Sequence, residues 1–381
     1  MRTNRRNFLT GLGVTLPLSS ALGKNPFTKK ADRTTNHFKE LSVPSFINAI
    51  GPYSSLGGAE MWPEVIEAMD YAINHKIRVS ELHDAVGKRI AELLGTESAM
   101  VSAGATSAII LGTAACMTMG DEVKMERLPN TSGMPNEVII LKSHRYLYDR
   151  SIKAPGARLI EVETADDIRA AINDKTAMMF YLLNRPEKQK VRLAEYVALA
   201  KEFDIPSFCD AATTVPPISN IFDTVDAGFD LICYSGGKGL RGPYSAGLLM
   251  GRADLVSIAR LNGSPNHRAY GRSMKVAPEE YLGMMVAVET GLRFDEEGEY
   301  ERQSNIINAM AHRLNKIPGV VTETKLPAAE AREPYIEVRW DTDLYKITPA
   351  EMKKELREGH PSIEVRALFL SGGKLHLTAV M

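Results

Sequence analysis

The sequence predicts an α/β protein built on a mostly parallel sheet, and two observations carry that prediction. Short apolar runs alternate with helix-period segments from residue 98 to residue 234, the β-α alternation of a parallel sheet. Two of those runs also end in residues suited to chemistry, Asp210 and Lys238, separated by enough chain for one irregular connection and one helix. That spacing makes the two runs neighbouring parallel strands. Ligands of open α/β sheets sit off the carboxyl ends of the strands, where both residues fall.

The elements follow in order. Residues 24–45 are polar and loose. Glu64 to Tyr71 and Leu82 to Leu94 place apolar residues three and four apart and read as helices. Strands are expected at 98–102, 138–141, 158–162, 177–183, 206–210 and 230–234, with helices at 105–118, 166–173 and 191–203 between them. Asp121 to Asn136, with its prolines and glycine, reads as a long connection forming a flap. Ser245 to Met250 is a further strand, and Pro278 to about Asp295 a long helix leading into a smaller C-terminal unit. There Tyr335–Trp340, Ser362–Arg366 and Leu375–Thr378 alternate like half-exposed strands.

Composition narrows the function. The chain holds 46 basic and 47 acidic residues for a net charge of −1. Beyond the N-terminal arginines there is no long basic run, which argues against a nucleic-acid surface. Cys116, Cys209 and Cys233 lie in apolar stretches and read as buried thiols rather than a disulfide framework. The eight histidines show no metal-ligand spacing, so no metal site is expected.

Lys238 stands in Asp230-Leu-Ile-Cys-Tyr-Ser-Gly-Gly-Lys-Gly-Leu-Arg-Gly-Pro243. Glycines at a strand end let the backbone turn and approach a bound group. A lysine at the edge of an apolar layer loses its proton through desolvation and becomes a nucleophilic amine. That amine suits a Schiff base with a carbonyl cofactor. A second copy of the tetrapeptide, Ser371-Gly-Gly-Lys374, lies between two hairpin strands with no acidic strand end upstream, and reads as a solvated turn. An aspartate beside a lysine that anchors pyridoxal phosphate (PLP) keeps the pyridine nitrogen protonated and the ring an electron sink. The alternative for Asp210 is a structural residue closing its strand.

A phosphate site is the remaining requirement. Gly104 frees the turn after strand 98–102, and the N–H groups of Ala105, Thr106 and Ser107 open a helix with its positive end exposed. The hydroxyls of Thr106 and Ser107, and of Ser235 at the other strand end, are placed to add hydrogen bonds. An ordinary capped helix would read the same way.

Longer segments carry a resemblance. These are Leu56-Gly-Gly-Ala-Glu-Met-Trp-Pro-Glu-Val65, Glu81-Leu-His-Asp-Ala-Val-Gly87, Asp210-Ala-Ala-Thr-Thr-Val-Pro-Pro217, Ser235-Gly-Gly-Lys-Gly-Leu-Arg-Gly-Pro243 and Gly271-Arg-Ser-Met-Lys-Val276. Together they resemble the selenocysteine synthase-like family, the L-seryl-tRNA(Sec) selenium transferases and relatives. The resemblance implies an aspartate-aminotransferase-like PLP enzyme of fold type I. It implies a mostly parallel seven-stranded sheet, strand 245–250 antiparallel, and a smaller C-terminal α+β domain. A large PLP-binding domain with an N-terminal helical arm would span 46–285 and the small domain 286–381. By the same resemblance Lys238 is the Schiff-base lysine, Asp210 the partner of the pyridine nitrogen, and His144 a residue stacked on the cofactor ring. Arg272 resembles an arginine near the cofactor phosphate or substrate carboxylate, across a subunit interface. Gly104, Ala105, Thr106, Ser107 and Ser235 complete the cofactor-binding set.

Tyr244, where many relatives carry Gln, and Ala277-Pro278, where many carry Gly-Lys, depart from the pattern near the expected site. Residues 24–45 are too few for the tRNA-binding region of the true selenocysteine synthases. The resemblance implies a small amino acid or amino sugar acid as substrate, processed by α,β-elimination or β-replacement. Aminotransfer, racemisation, aldol cleavage and a catalytically silent binding protein stay open. The polar, basic stretch Asn262 to Lys275 suits a contribution to a neighbour's site, so a homodimer or higher homo-oligomer is expected. Met1-Arg-Thr-Asn-Arg-Arg-Asn-Phe-Leu-Thr10, an apolar run to Leu22 and the small residues Ala21-Leu-Gly23 resemble a twin-arginine signal over residues 1–23. The run is too short to span a bilayer. Periplasmic export after folding, with no stable membrane anchor, is the expectation.

Overall fold

The computed structural model describes residues 36–183, 190–327, 333–368 and 373–379. The expected signal at 1–23 lies outside them. The chain divides into residues 1–45 and 46–381. In the first, the described part holds a single helical turn, His37–Glu40, capped by the Asn36 side chain.

The second unit begins with β1 (Phe46–Asn48) and the helices Pro63–Ile73 and Val79–Leu94. A seven-stranded sheet then forms from β2 (Ser98–Ser102), β3 (Glu137–Leu141), β4 (Arg158–Val162), β5 (Thr176–Leu182), β6 (Ser207–Asp210), β7 (Leu231–Ser235) and β8 (Gly247–Gly251). Its order is β2-β8-β7-β6-β5-β3-β4. Strands β7, β6, β5, β3 and β4 run parallel, and β8 is antiparallel to both β2 and β7. The side chains of β3, β5, β6 and β8 are buried throughout, as a sheet covered by helices on both faces requires. Alternate residues feed opposite layers. Ile139, Tyr181, Cys209 and Ile232 enter one apolar core; Val138, Phe180, Phe208 and Cys233 enter the other.

Beyond the sheet the chain forms β9 (Val320–Lys325), β10 (Tyr335–Trp340), β11 (Ser362–Glu364), β12 (Arg366–Leu368) and β13 (Lys374–Thr378). An antiparallel sheet in the order β12-β13-β10-β9 carries a third core of Ile336, Val338, Val365 and Leu375, with Ile307 and Ala311 from the helix Glu296–Leu314.

Four expectations need correction. The helix expected from 278 to about 295 ends at Gly291, and an unexpected second helix, Glu296–Leu314, begins just past that range, started by Asp295, whose side chain accepts from the Gly298 N–H. The flap at 121–136 contains a helix, Glu122–Arg127, started by Asp121. Strand 362–366 is two strands flanking Val365: β11 pairs in parallel with β1, β12 antiparallel with β13. In the second Ser-Gly-Gly-Lys, Ser371 and Gly372 lie outside the described residues. Lys374 is not in a solvated turn: it belongs to β13 and its Nζ lies 2.5 Å from Glu337 Oε2. Strand β9 had no sequence signal strong enough to mark it.

Candidate active site

The turn after β7 is boxed in by backbone on three sides, and its glycines are a steric necessity. A Cβ at Gly237 would fall 2.6 Å from the Tyr244 carbonyl oxygen, and one at Gly239 would fall 2.1 Å from that of Val215. Lys238 stands between them. The segment 56–65 clamps the loop from outside. Ala59 N–H donates to the Gly237 carbonyl and Trp62 N–H to that of Arg241, while the Trp62 indole N–H reaches the Leu240 carbonyl. In return the Arg241 guanidinium donates to the Glu60 carbonyl and lies 3.8 Å over the Trp62 ring, a cation–π contact. Two motifs far apart in sequence thus fix one lysine.

Lys238 reaches a cavity of about 450 Å³ between the large sheet and the β10–β13 sheet, lined also by Tyr53, Tyr148, Thr213, Arg366 and His376. Burial holds its amine below the ordinary lysine pKa, opposed by the nearby Asp210. Asp210 closes β6, directly across from Cys233 on β7. Its carboxylate accepts from the Ala212 N–H at 2.9 Å and from the Tyr146 hydroxyl. Burial and then Asp210 push the Tyr146 hydroxyl well above the ordinary phenol range, so it stays the donor.

The expected phosphate cradle lies at the same sheet edge. Ser102 at the end of β2 and Ser235 at the end of β7 flank Gly247, the start of β8. A Cβ at Gly247 would lie 2.6 Å from the Gly104 carbonyl carbon. Gly104 adopts φ +80° and opens the helix Gly104–Thr118, which has no side-chain cap. Its first N–H groups therefore have no partner within the helix. Thr106 is exposed there. The Ser107 hydroxyl differs from expectation: it donates to the Ala103 carbonyl at 2.7 Å within its own helix.

The structure also separates two predicted residues from the cavity. His144 is fully buried at the end of the turn Lys142–His144. Its Nδ1 accepts from the Leu182 N–H and its ring meets Tyr181 edge-on. Stacking on a cofactor ring requires an exposed face, which His144 does not have here; Tyr146 is the aromatic residue that reaches Asp210. Arg272 sits in the loop packed on Leu111 of the helix Gly104–Thr118 and does not line the Lys238 cavity. Tyr146, Arg366 and His376 were missed by sequence reasoning. Arg366 on β12 donates to the Tyr53 hydroxyl and faces His376 across the β12–β13 pair. The three cysteines are buried and free, and no cluster of metal-ligand type occurs among the described residues.

An amine of lowered pKa, a carboxylate on the adjacent strand and a helix N-terminus opened by Gly104 fit PLP: aldehyde, ring nitrogen and phosphate each meet a suitable group. With the seven-stranded sheet, they define the class as a PLP-dependent enzyme of fold type I. The sequence matches the L-seryl-tRNA selenium transferase family over residues 62–278, and the chain belongs to that family. It is 30% identical over 368 residues to a 5'-C-glycyluridine monooxygenase-decarboxylase from a Streptomyces species, across 92% of this chain and 90% of that protein. It is 26% identical over 355 residues to the D-glucosaminate-6-phosphate ammonia lyase of Salmonella typhimurium, across 90% and 93% respectively. A solved D-glucosaminate-6-phosphate ammonia-lyase structure superposes with a TM-score of 0.79 at 25% identity, covering 90% of this chain and 93% of that one.

Proposed function

We propose that the protein is a lyase that removes a β-substituent from a small amino acid or amino sugar acid, with Lys238 as both cofactor anchor and base. Bound PLP supplies an electron sink for the pair left when a bond to the substrate α-carbon breaks. The residues do the rest. Lys238 would hold the cofactor aldehyde, and its free amine would take the proton from the substrate α-carbon. Asp210, oriented by Tyr146 and the Ala212 N–H, keeps the ring nitrogen protonated. The helix N-terminus at Gly104–Ser107 and Ser235 hold the phosphate, and Arg366 presents a planar donor fork to a substrate carboxylate.

The observation that carries this reading is that Lys238 and Arg366 line the same cavity. The full-length likeness to an ammonia lyase supports elimination. The likeness to a monooxygenase-decarboxylase favours a second reading, loss of the α-carboxylate with oxygen consumption. Incubating the loaded enzyme with L- and D-amino acids and amino sugar acids separates them. Ammonia and keto acid without oxygen uptake support the lyase; carbon dioxide with oxygen uptake, or amino transfer to an added keto acid, moves the assignment. Loss of the visible cofactor band in Lys238→Ala is expected, and its retention would contradict the lysine's role.

We further infer a homodimer exported to the periplasm by the twin-arginine route. The Arg5-Arg6 motif and the basic loop 262–275 support this reading. Light scattering giving a monomer that binds PLP tightly would contradict the shared site, and export of an Arg5→Lys, Arg6→Lys variant would contradict the route.

A further inference from the structure

Two cavities meet at Lys238. The second, about 80 Å³, is lined by Trp62, Arg241, Phe294 and Glu299. Pro52, Val215, Lys238, Gly239 and Glu333 line both. Glu333 is the only carboxyl on the wall of the larger cavity among the described residues. The acidic neighbours in the smaller cavity are already engaged: Glu299 accepts from Arg302 and Gln303, and Glu296 from the Ile218 N–H. Glu333 has neither an ionic nor a hydrogen-bonding partner among the described residues. Burial alone acts on its carboxyl, raises its pKa and favours the proton-carrying form. Its backbone position is firm, because the next residue, Pro334, is buried and its carbonyl accepts from the Thr378 hydroxyl. A half-buried acid without a partner is costly to keep, and this one lines the space that the substrate of Lys238 would fill.

We propose that Glu333 is the acid that protonates the group leaving the substrate β-carbon. This rests on the elimination reading above. Lys238 takes the α-proton, and the pair from the broken C–H bond forms the double bond between α- and β-carbons as the bond from the β-carbon to oxygen breaks. The oxygen leaves with its bonding pair and takes the Glu333 proton, giving water. The Glu333 carboxylate regains a proton from solvent. A division of labour follows: the lysine works at the α-carbon from the large sheet and the glutamic acid at the β-carbon from the segment leading into β10.

Glu333→Gln keeps the shape and removes the acid. In the cofactor-free protein, infrared spectroscopy at neutral pH is expected to show a protonated-carboxyl band that Glu333→Gln removes; a band that persists in the variant, or no band in the parent, overturns the proposal. In the loaded enzyme, Glu333→Gln should retain cofactor uptake and exchange of the substrate α-proton in deuterated water. Ammonia release should fall by about 100-fold or more, with partial recovery in Glu333→Asp. Release at the parental rate, or failure of both variants to take up cofactor, would show that the residue is not the acid. If the parent exchanges no α-proton on any substrate, the elimination reading itself fails, and the proposal with it, whatever the infrared result.

Discussion

Replacing Gly239 by alanine tests the claim that packed backbone, rather than the lysine's own contacts, positions Lys238. The added methyl would lie 2.1 Å from the Val215 carbonyl oxygen, 2.4 Å from its carbon and 2.8 Å from Pro216 N. Ordinary contact between carbon atoms needs about 3.5 Å, so the two segments must part by about 1 Å. The Val215 side resists. Two prolines follow it, Asn220 holds the Thr214 carbonyl, and Glu296 holds the Ile218 N–H. The loop must therefore move and carry Lys238 with it. Overpacking of this kind costs about 1–3 kcal/mol, and each kcal/mol lowers Tm by about 2–4 °C in a domain of moderate size. A displacement of about 1 Å costs about 100-fold in rate. The assays are a thermal melt of cofactor-free protein, a visible titration with PLP, and turnover. Gly95→Ala is the control: φ is +67° with no atom within 4 Å, so it loses about 1 kcal/mol to left-handed strain and leaves cofactor binding alone. A Gly239→Ala protein that titrates and turns over like the parent refutes the argument.

Three other outcomes are expected. In cofactor-free protein, Lys238 has a folded pKa below its unfolded value, so between the two the unfolded chain binds more protons and stability rises with pH. Lys238→Met should therefore raise the urea midpoint most at neutral pH, with the gain narrowing as pH climbs towards the ordinary lysine value; a gain independent of pH would deny burial as the cause. Tyr146→Phe removes a hydrogen bond to a buried carboxylate, a loss of about 1.5–3 kcal/mol, visible as a lower Tm and weaker PLP uptake. Arg366→Lys loses the bidentate fork and should raise KM for a carboxylate substrate by about 10-fold with a smaller change in kcat; an unchanged KM would remove Arg366 from the substrate.

The large sheet was legible because each strand announces itself locally. Phe208-Cys-Asp210 and Leu231 to Ser235 are apolar runs that end in polar residues, and in a parallel sheet such ends all face one side. The helix at Gly104 was legible for the same reason. The end at Gly291 and the new helix from Glu296 were not, because no breaker stands between Gly291 and Asp295 and the start of the second helix depends on one side chain, Asp295, folding back on the Gly298 N–H. His144 shows the limit more sharply. Its position just beyond β3 was readable, but the turn Lys142–His144 swings its ring beneath Tyr181, and Tyr146 takes the place beside Asp210.

The other wall of the cavity depends on strand register, which no single strand reveals. β10 and β13 pair Ile336 with Leu377 and Val338 with Leu375, which sends those side chains into the third core. The alternate residues Tyr335, His376 and Thr378 then face the cavity, joined by Arg366 from β12. A slip of one residue in β13 would bury His376 and turn Leu375 and Leu377 towards the substrate. The sequence of β13 permits either face, since lysine, histidine and threonine alternate with leucine on a strand that is half buried. What decides is the apolar face of a different strand, β10, chosen by packing on the helix Glu296–Leu314. The acid–base half of the site is thus written at the ends of individual strands, and the substrate-facing half only in how separate strands pair.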